Sequence, residues 1–182
     1  MRAFAIPLVL LIAPAALAQP SPPPILDMHL HASSLDGFAR LLGPAPIPHC
    51  VPMTDYPVPA SGAEWAEVVR SRQLPCRTTW SPVDDEAVMT RTLEIMERRN
   101  VFGVTSGERL DRWREVAGGR IIPASMFGGG PDAPSVETLR AWFVEGRYEV
   151  LGEVTVQYGG LAADDPAMAP YWALAEELDI PV

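Results

Sequence analysis

Asp27, His29 and His31 stand at alternate positions in Ile25-Leu26-Asp27-Met28-His29-Leu30-His31, a segment of strand length. A strand sends alternate side chains from one face, so all three are expected to leave together. Two imidazoles on one face of a strand end can bind a single divalent cation, because nitrogen to zinc distances of about 2.0 to 2.1 Å are reached from neighbouring same-face positions without distorting the backbone. The competing reading is a pair of exposed or hydrogen-bonded histidines. Two of the chain's three histidines fall in this motif behind an aspartate, which favours metal. Asp27 itself is expected to orient an imidazole from behind rather than to bind the ion. All 14 basic residues are arginine, so Schiff-base chemistry and a carboxylated-lysine bridge between metals are excluded for this stretch.

The motif needs a scaffold, and the rest of the 182 residues reads as a soluble globular chain, with 48% hydrophobic and 20% charged side chains. A net charge of -9 repels a phosphate backbone, so nucleic acid is an unfavourable partner. Met1-Arg2, an apolar run from Ala3 to Ala18 and the closing Ala16-Leu17-Ala18 read as a secretory signal over 1–18. An uncleaved anchor is the alternative; the run contains Pro7 and Pro14 and falls short of the roughly 20 apolar residues that span a bilayer. A periplasmic or secreted protein with no membrane contact after cleavage is therefore expected. In such a compartment Cys50 and Cys76 are expected to form a disulfide, worth roughly 3.5 kcal/mol on the chain-entropy model for a loop of that size; two separate buried thiols are the alternative.

Residues 19–182 are expected to form one α/β unit. After the first strand, the Pro- and Gly-rich stretch 32–83 reads as a long irregular excursion with one helix near Ala63 to Arg72, stapled by the cysteines. Beyond it the chain becomes regular. Ser81-Pro82 opens a helix carrying Met89, Leu93 and Met96 at helical spacing, and Val101 to Thr105 is a short strand. Ser106 is placed as the cap of a helix with Leu110, Trp113 and Val116 on one face. Arg120 to Phe127 reads as the next strand, although Pro123 removes a ladder donor. Ser135 to Glu145 is helical, Glu149 to Tyr158 a strand, Pro166 to Leu178 a helix, and Asp179-Ile180-Pro181-Val182 begins like another strand. This rhythm means parallel pairing. It fits about four βα units of an eight-stranded (β/α) barrel of the TIM type with a long insertion after strand one; a five-stranded doubly wound sheet fits the pattern equally well.

Asp27-x-His29-x-His31 on the first strand, the run of βα units, Gly152-Glu153 in the fourth and the closing Ala175 to Val182 together resemble the amidohydrolase superfamily, and within it the amidohydrolase-related group of hydrolases and non-oxidative decarboxylases. The resemblance implies a divalent metal, zinc by preference, held by His29 and His31 at the C-terminal mouth of a distorted (β/α) barrel. Glu153 is the only residue matching the fourth-strand ligand that some members use; a buried or substrate-facing carboxylate is the alternative role for it. The resemblance also implies hydrolysis of a small amide, ester or lactone, with decarboxylation as the alternative reaction. It places the general-base aspartate and the remaining histidines past Val182, so the chain is expected to be an N-terminal half, inactive alone, or a half-barrel that pairs with another half as a homo-oligomer.

Weaker candidates complete the reading. His49 is expected to be a loop histidine, Glu108 and Arg109 solvated first-turn charges, Gly128-Gly129-Gly130 a turn without phosphate-loop spacing, and Trp113, Trp142 and Trp172 core residues.

Overall fold

A computed structural model describes residues 22–51, 61–128 and 133–182. The expected signal segment and two of the three glycines at 128–130 lie outside the described residues. The chain runs through strand β1 (Ile25–His31), helix α1 (Leu35–Leu42), β2 (Pro48–Cys50), α2 (Gly62–Ser71), β3 (Thr78–Trp80), α3 (Asp85–Arg99), β4 (Val101–Ser106), α4 (Leu110–Val116), β5 (Ile121–Phe127), α5 (Val136–Val144) and β6 (Val150–Val154). Two short 3-10 turns, Val156–Gly159 and Pro166–Met168, then lead into α6 (Ala169–Leu178).

Strands β1, β4, β5 and β6 pair in parallel, in that order, as one four-stranded sheet, while β2 and β3 form a separate antiparallel pair. The α/β reading therefore holds. The sheet is strongly curled. Its margins, β1 and β6, are three inter-strand steps apart, which in a flat sheet would be roughly 14 Å. Yet His29 Nε2 on β1 lies 3.1 Å from Glu153 Oε2 on β6, so the two margins lean toward each other over a concave face.

Apolar packing fixes which face is which. Between the sheet and its helices, Ala32, Met89, Met96, Leu110, Trp113 and Ile121 form one cluster. Phe127, Leu139, Leu151, Val156, Met168 and Leu174 form a second. The concave face carries a smaller floor of Val104, Ala124 and Val150. The three tryptophans expected in the core do serve packing: Trp113 is buried, while Trp142 and Trp172 lie against the second cluster. Val116, expected on the buried face of α4, is instead half-exposed.

Several boundaries differ from the expectation. The helix of Met89 starts later than Ser81-Pro82: its cap is Asp84, whose side chain accepts the Ala87 N–H. The 32–83 stretch is more ordered than its Pro and Gly content suggests. Ser34 caps α1 by accepting from Gly37, and the helix packs Leu42 with Ile47, Ala66 and Val69 in a satellite core. Next to it the β2–β3 pair is closed by the Cys50–Cys76 disulfide, with Cα atoms 5.6 Å apart. His49 accordingly sits in a strand, not a loop. Strand β6 ends at Val154, short of Tyr158. Pro123 is tolerated inside β5 because its carbonyl accepts the Glu149 N–H just ahead of β6, so its missing donor falls on the same edge, where that strand begins. The closing segment forms no strand, but the Leu151 N–H reaches the Pro181 carbonyl at 3.0 Å.

Candidate metal centre at the strand ends

His31 ends β1, Ser106 ends β4 and Glu153 is the penultimate residue of β6, so the chemistry gathers where the parallel strands finish. That end is where open and closed α/β sheets place their sites. His29 Nε2 and His31 Nε2 are 2.8 Å apart, and Glu153 Oε2 is 3.1 Å from the first and 3.3 Å from the second. The three donor atoms lie within 4.8 Å of one another, the only such group of His, Cys, Asp or Glu side chains among the described residues. The sequence-expected ligands His29, His31 and Glu153 are thus brought together.

Two irregularities in the strands produce this convergence. In β6, Leu151 pairs with Ser125 but Val154 pairs with Phe127, so one extra residue is accommodated between them. Strict alternation would send Glu153 to the helix side with Leu151; the inserted residue re-aims it across the concave face. The Gly152–Glu153 peptide is cis. In β1, Asp27 pairs with Gly103 while Leu30 pairs with Thr105, again with one residue to spare.

This second irregularity corrects the expectation for Asp27. In register with Gly103, which lies against Leu30 and Met96, Asp27 takes the helix side of β1 rather than the face of the two imidazoles. Its Oδ1 accepts the backbone N–H of His29 at 3.0 Å. It therefore holds the backbone turn that carries His29 and does not meet a ring nitrogen.

The group behind a ring is Ser106. Its Oγ lies 3.3 Å from His31 Nδ1 and 3.7 Å from Met126 Sδ. Ser106 is buried. Sequence reading missed it by placing Ser106 as a helix cap; α4 starts instead at Leu110, with Arg109 at its cap position and no side-chain capping bond. The signal was the register: Ser106 ends a strand parallel to β1 and pairs with His31.

The donor set fits a divalent ion. Around one ion with bonds of about 2.0 to 2.1 Å, donor atoms stand roughly 2.9 Å apart at right angles and 3.3 Å apart at tetrahedral angles, close to the three separations present here. Two imidazole nitrogens and one carboxylate oxygen suit zinc and its first-row neighbours, and three protein donors leave a coordination position open, as in catalytic zinc sites. Exposure agrees. The side chains of His29, His31 and Glu153 keep 59%, 32% and 30% of their surface, so the open side faces solvent.

The residues around the site hold the backbone that follows β1. Arg109 pairs with Asp85 at 2.6 Å and with Glu86, and Asp85 also accepts the Leu35 N–H. Glu108 accepts the Ser34 N–H at 2.6 Å. Partial burial opposes its charge, but hydrogen bonds with Ser34 outweigh that and hold its carboxyl below the usual range. The Arg112 guanidinium hydrogen-bonded to Glu86 likewise lowers that carboxyl. Glu108 is exposed, as expected, but bonded to the Ser34 backbone, while Arg109 is partly buried and braces Asp85, which holds Leu35. His49 lies outside the donor cluster, and burial pushes its imidazole below the ordinary value.

Comparison with family models, with curated proteins and with solved structures returned no match for the chain. Among the described residues no helix is long and apolar enough to cross a membrane.

Proposed function

We propose that the chain carries the metal-binding part of a hydrolase of the amidohydrolase type, with the curled sheet as one side of a (β/α) barrel and a small amide, ester or lactone as substrate. The single observation that carries this is the convergence of His29, His31 and Glu153, from opposite margins of a parallel sheet, at its strand ends. His29, His31 and Glu153 would hold a divalent ion, zinc by donor preference, and such an ion would supply Lewis acidity of the kind that lowers a water's pKa from about 15.7 to near 7 and polarises a carbonyl. The chain's own contribution is placement. His29 and His31 present Nε2, Glu153 closes the donor triangle from the far strand, and the solvent-facing side admits the carbonyl. The disulfide supports an oxidising compartment and hence an exported protein.

The test is zinc titration of the metal-free protein by calorimetry. One ion per chain is expected, with affinity lowered at least about 100-fold in His29→Ala, His31→Ala and Glu153→Gln, because losing a ligand should exceed the 10- to 100-fold typical of losing an outer partner. Unchanged stoichiometry and affinity in the His29→Ala/His31→Ala double variant would overturn the proposal. Assay of the zinc-loaded protein on ester, lactone and carboxylate substrates, reading released acid against carbon dioxide, separates hydrolysis from decarboxylation.

A second reading is favoured by β1, which among the described residues pairs on one side only and whose Ile25, Leu26 and Met28 are 53%, 54% and 57% exposed. An edge strand with exposed apolar side chains invites pairing, so a half-barrel that acts only after self-association is the alternative. Light scattering across a concentration series decides: a monomer throughout rejects it.

A further inference from the structure

We propose that Ser106 and Met126 form a positioning relay that fixes the His31 imidazole as the tautomer with its proton on Nδ1. The proposal rests on the metal reading above for its purpose, and on the structure alone for its chemistry.

The direction of the relay follows from the acceptor at its end. A thioether sulfur carries no proton, so in the Ser106 Oγ to Met126 Sδ contact at 3.7 Å the hydroxyl must be the donor. With its one proton committed to sulfur, Ser106 Oγ can only accept from His31 Nδ1, 3.3 Å away. Nδ1 then carries the ring proton and Nε2 presents a lone pair. That Nε2 is the atom that faces His29 Nε2 and Glu153 Oε2. A ring held the other way would aim an N–H at Glu153 and at the place where a cation belongs, so in the ion-free protein the relay acts against the Glu153 carboxylate as a competing acceptor.

The three groups come from three adjacent strands, β1, β4 and β5, on the concave face. Ser106 is 4% exposed, so water has little access to replace its hydroxyl, and Met126 is 46% exposed, so the sulfur forms part of the open wall beside the donor cluster. Metal-bound histidines usually anchor their second nitrogen to a carboxylate, carbonyl or water. Here a buried hydroxyl takes that place, and its preference for accepting is set by a sulfur on the next strand.

The experiment is long-range proton–nitrogen NMR of the His31 ring in zinc-free protein at about pH 8, where imidazoles are ordinarily neutral, together with zinc affinity by competition against a chelator. In the wild type a single tautomer with Nε2 unprotonated is expected. Ser106→Ala should give a mixture of tautomers and weaken zinc about 10-fold. Ser106→Thr, which keeps the hydroxyl, should restore both, and Met126→Leu should mix the tautomers by freeing the hydroxyl to turn toward Nδ1. A wild-type ring protonated on Nε2, or a Ser106→Ala ring indistinguishable from wild type, overturns the relay. If the wild type binds no zinc, the metal reading fails, and the zinc-free spectrum still decides the relay.

Discussion

Replacing Gly107 by alanine attacks the segment that seats His31. Gly107 follows β4 at φ +122°, a backbone region that L side chains rarely adopt, and holding an alanine there costs about 1 to 3 kcal/mol. Its added Cβ would stand 2.5 Å from the Ala32 carbonyl oxygen, 2.7 Å from the carbonyl carbon and 3.2 Å from the nitrogen. These are backbone atoms, and they are held from both sides: Ala32 donates to the Ser106 carbonyl at 2.7 Å and accepts from the Arg109 N–H at 2.9 Å. Overpacking against groups that cannot swing aside adds about 1 to 3 kcal/mol. The sum, about 2 to 6 kcal/mol, should lower the melting temperature by roughly 5 to 25 °C in a domain of this size. Ala32 directly follows His31, so zinc affinity should fall in parallel. Urea unfolding measures the first effect and chelator competition the second. Gly118→Ala is the internal control: it also has positive φ, +59°, but nothing lies within 4 Å of its would-be Cβ, so it should cost only about 1 to 2 kcal/mol. If Gly107→Ala costs no more than Gly118→Ala, the close approach of β4's end to Ala32 is not what the packing argument claims.

Other perturbations should separate the parts of the molecule. Cys50→Ser/Cys76→Ser should lower stability by up to about 3.5 kcal/mol, and dithiothreitol should reproduce the loss in the wild type but not in the variant, as followed by urea melts. Leu151→Ala, fully buried against Leu139 and Leu174 behind β6, should cost about 2 to 5 kcal/mol; a loss under 1 kcal/mol would mean that the helices do not pack on this strand. Burial lowers the His49 imidazole, so its contribution to stability is present above the ordinary value of 6.5 and is lost as pH falls through the lower folded value. Urea midpoints should therefore drop on acidification below about pH 6.5 and drop less in His49→Gln. Glu108, held below its ordinary 4.5, should contribute above that value and lose its contribution as pH falls further, which a Glu108→Gln melt at low pH would show as a flattened slope.

How much of this was legible depended on periodicity. Ile25 to His31 alternates cleanly, and the run from Asp85 to Val144 repeats apolar residues at helical spacing between short β-rich segments, so its strands and helices were read nearly where they stand. Helix α1 went unread although Ser34, Leu35, Phe38 and Leu42 provide a cap and a stripe, because Gly37, Gly43 and the following prolines suggested a loop. The β2–β3 pair was beyond local reading, since each strand has three residues and its partner lies across a whole helix. At the site, residue types and spacing gave the two histidines and the amidohydrolase resemblance pointed to Glu153, but an extra residue in β1 is invisible to a period-two count, and that residue turns Asp27 away. Ser106 was misplaced for a related reason: a serine before a helix is an ordinary cap in sequence, and only strand pairing shows that its hydroxyl belongs to His31.

Because the two imidazoles lie near the start of the described chain and the carboxylate lies on its last strand, the donor triangle has no local precursor. It exists only once every βα unit between them has docked and drawn the sheet into its arc. Ion capture should thus be a late event in folding, slow to appear after dilution from denaturant and among the first properties to vanish when β6 and α6 detach. A colorimetric zinc indicator would then follow assembly of the whole arc, a step that helix-sensitive signals from α3 or α4 would pass over.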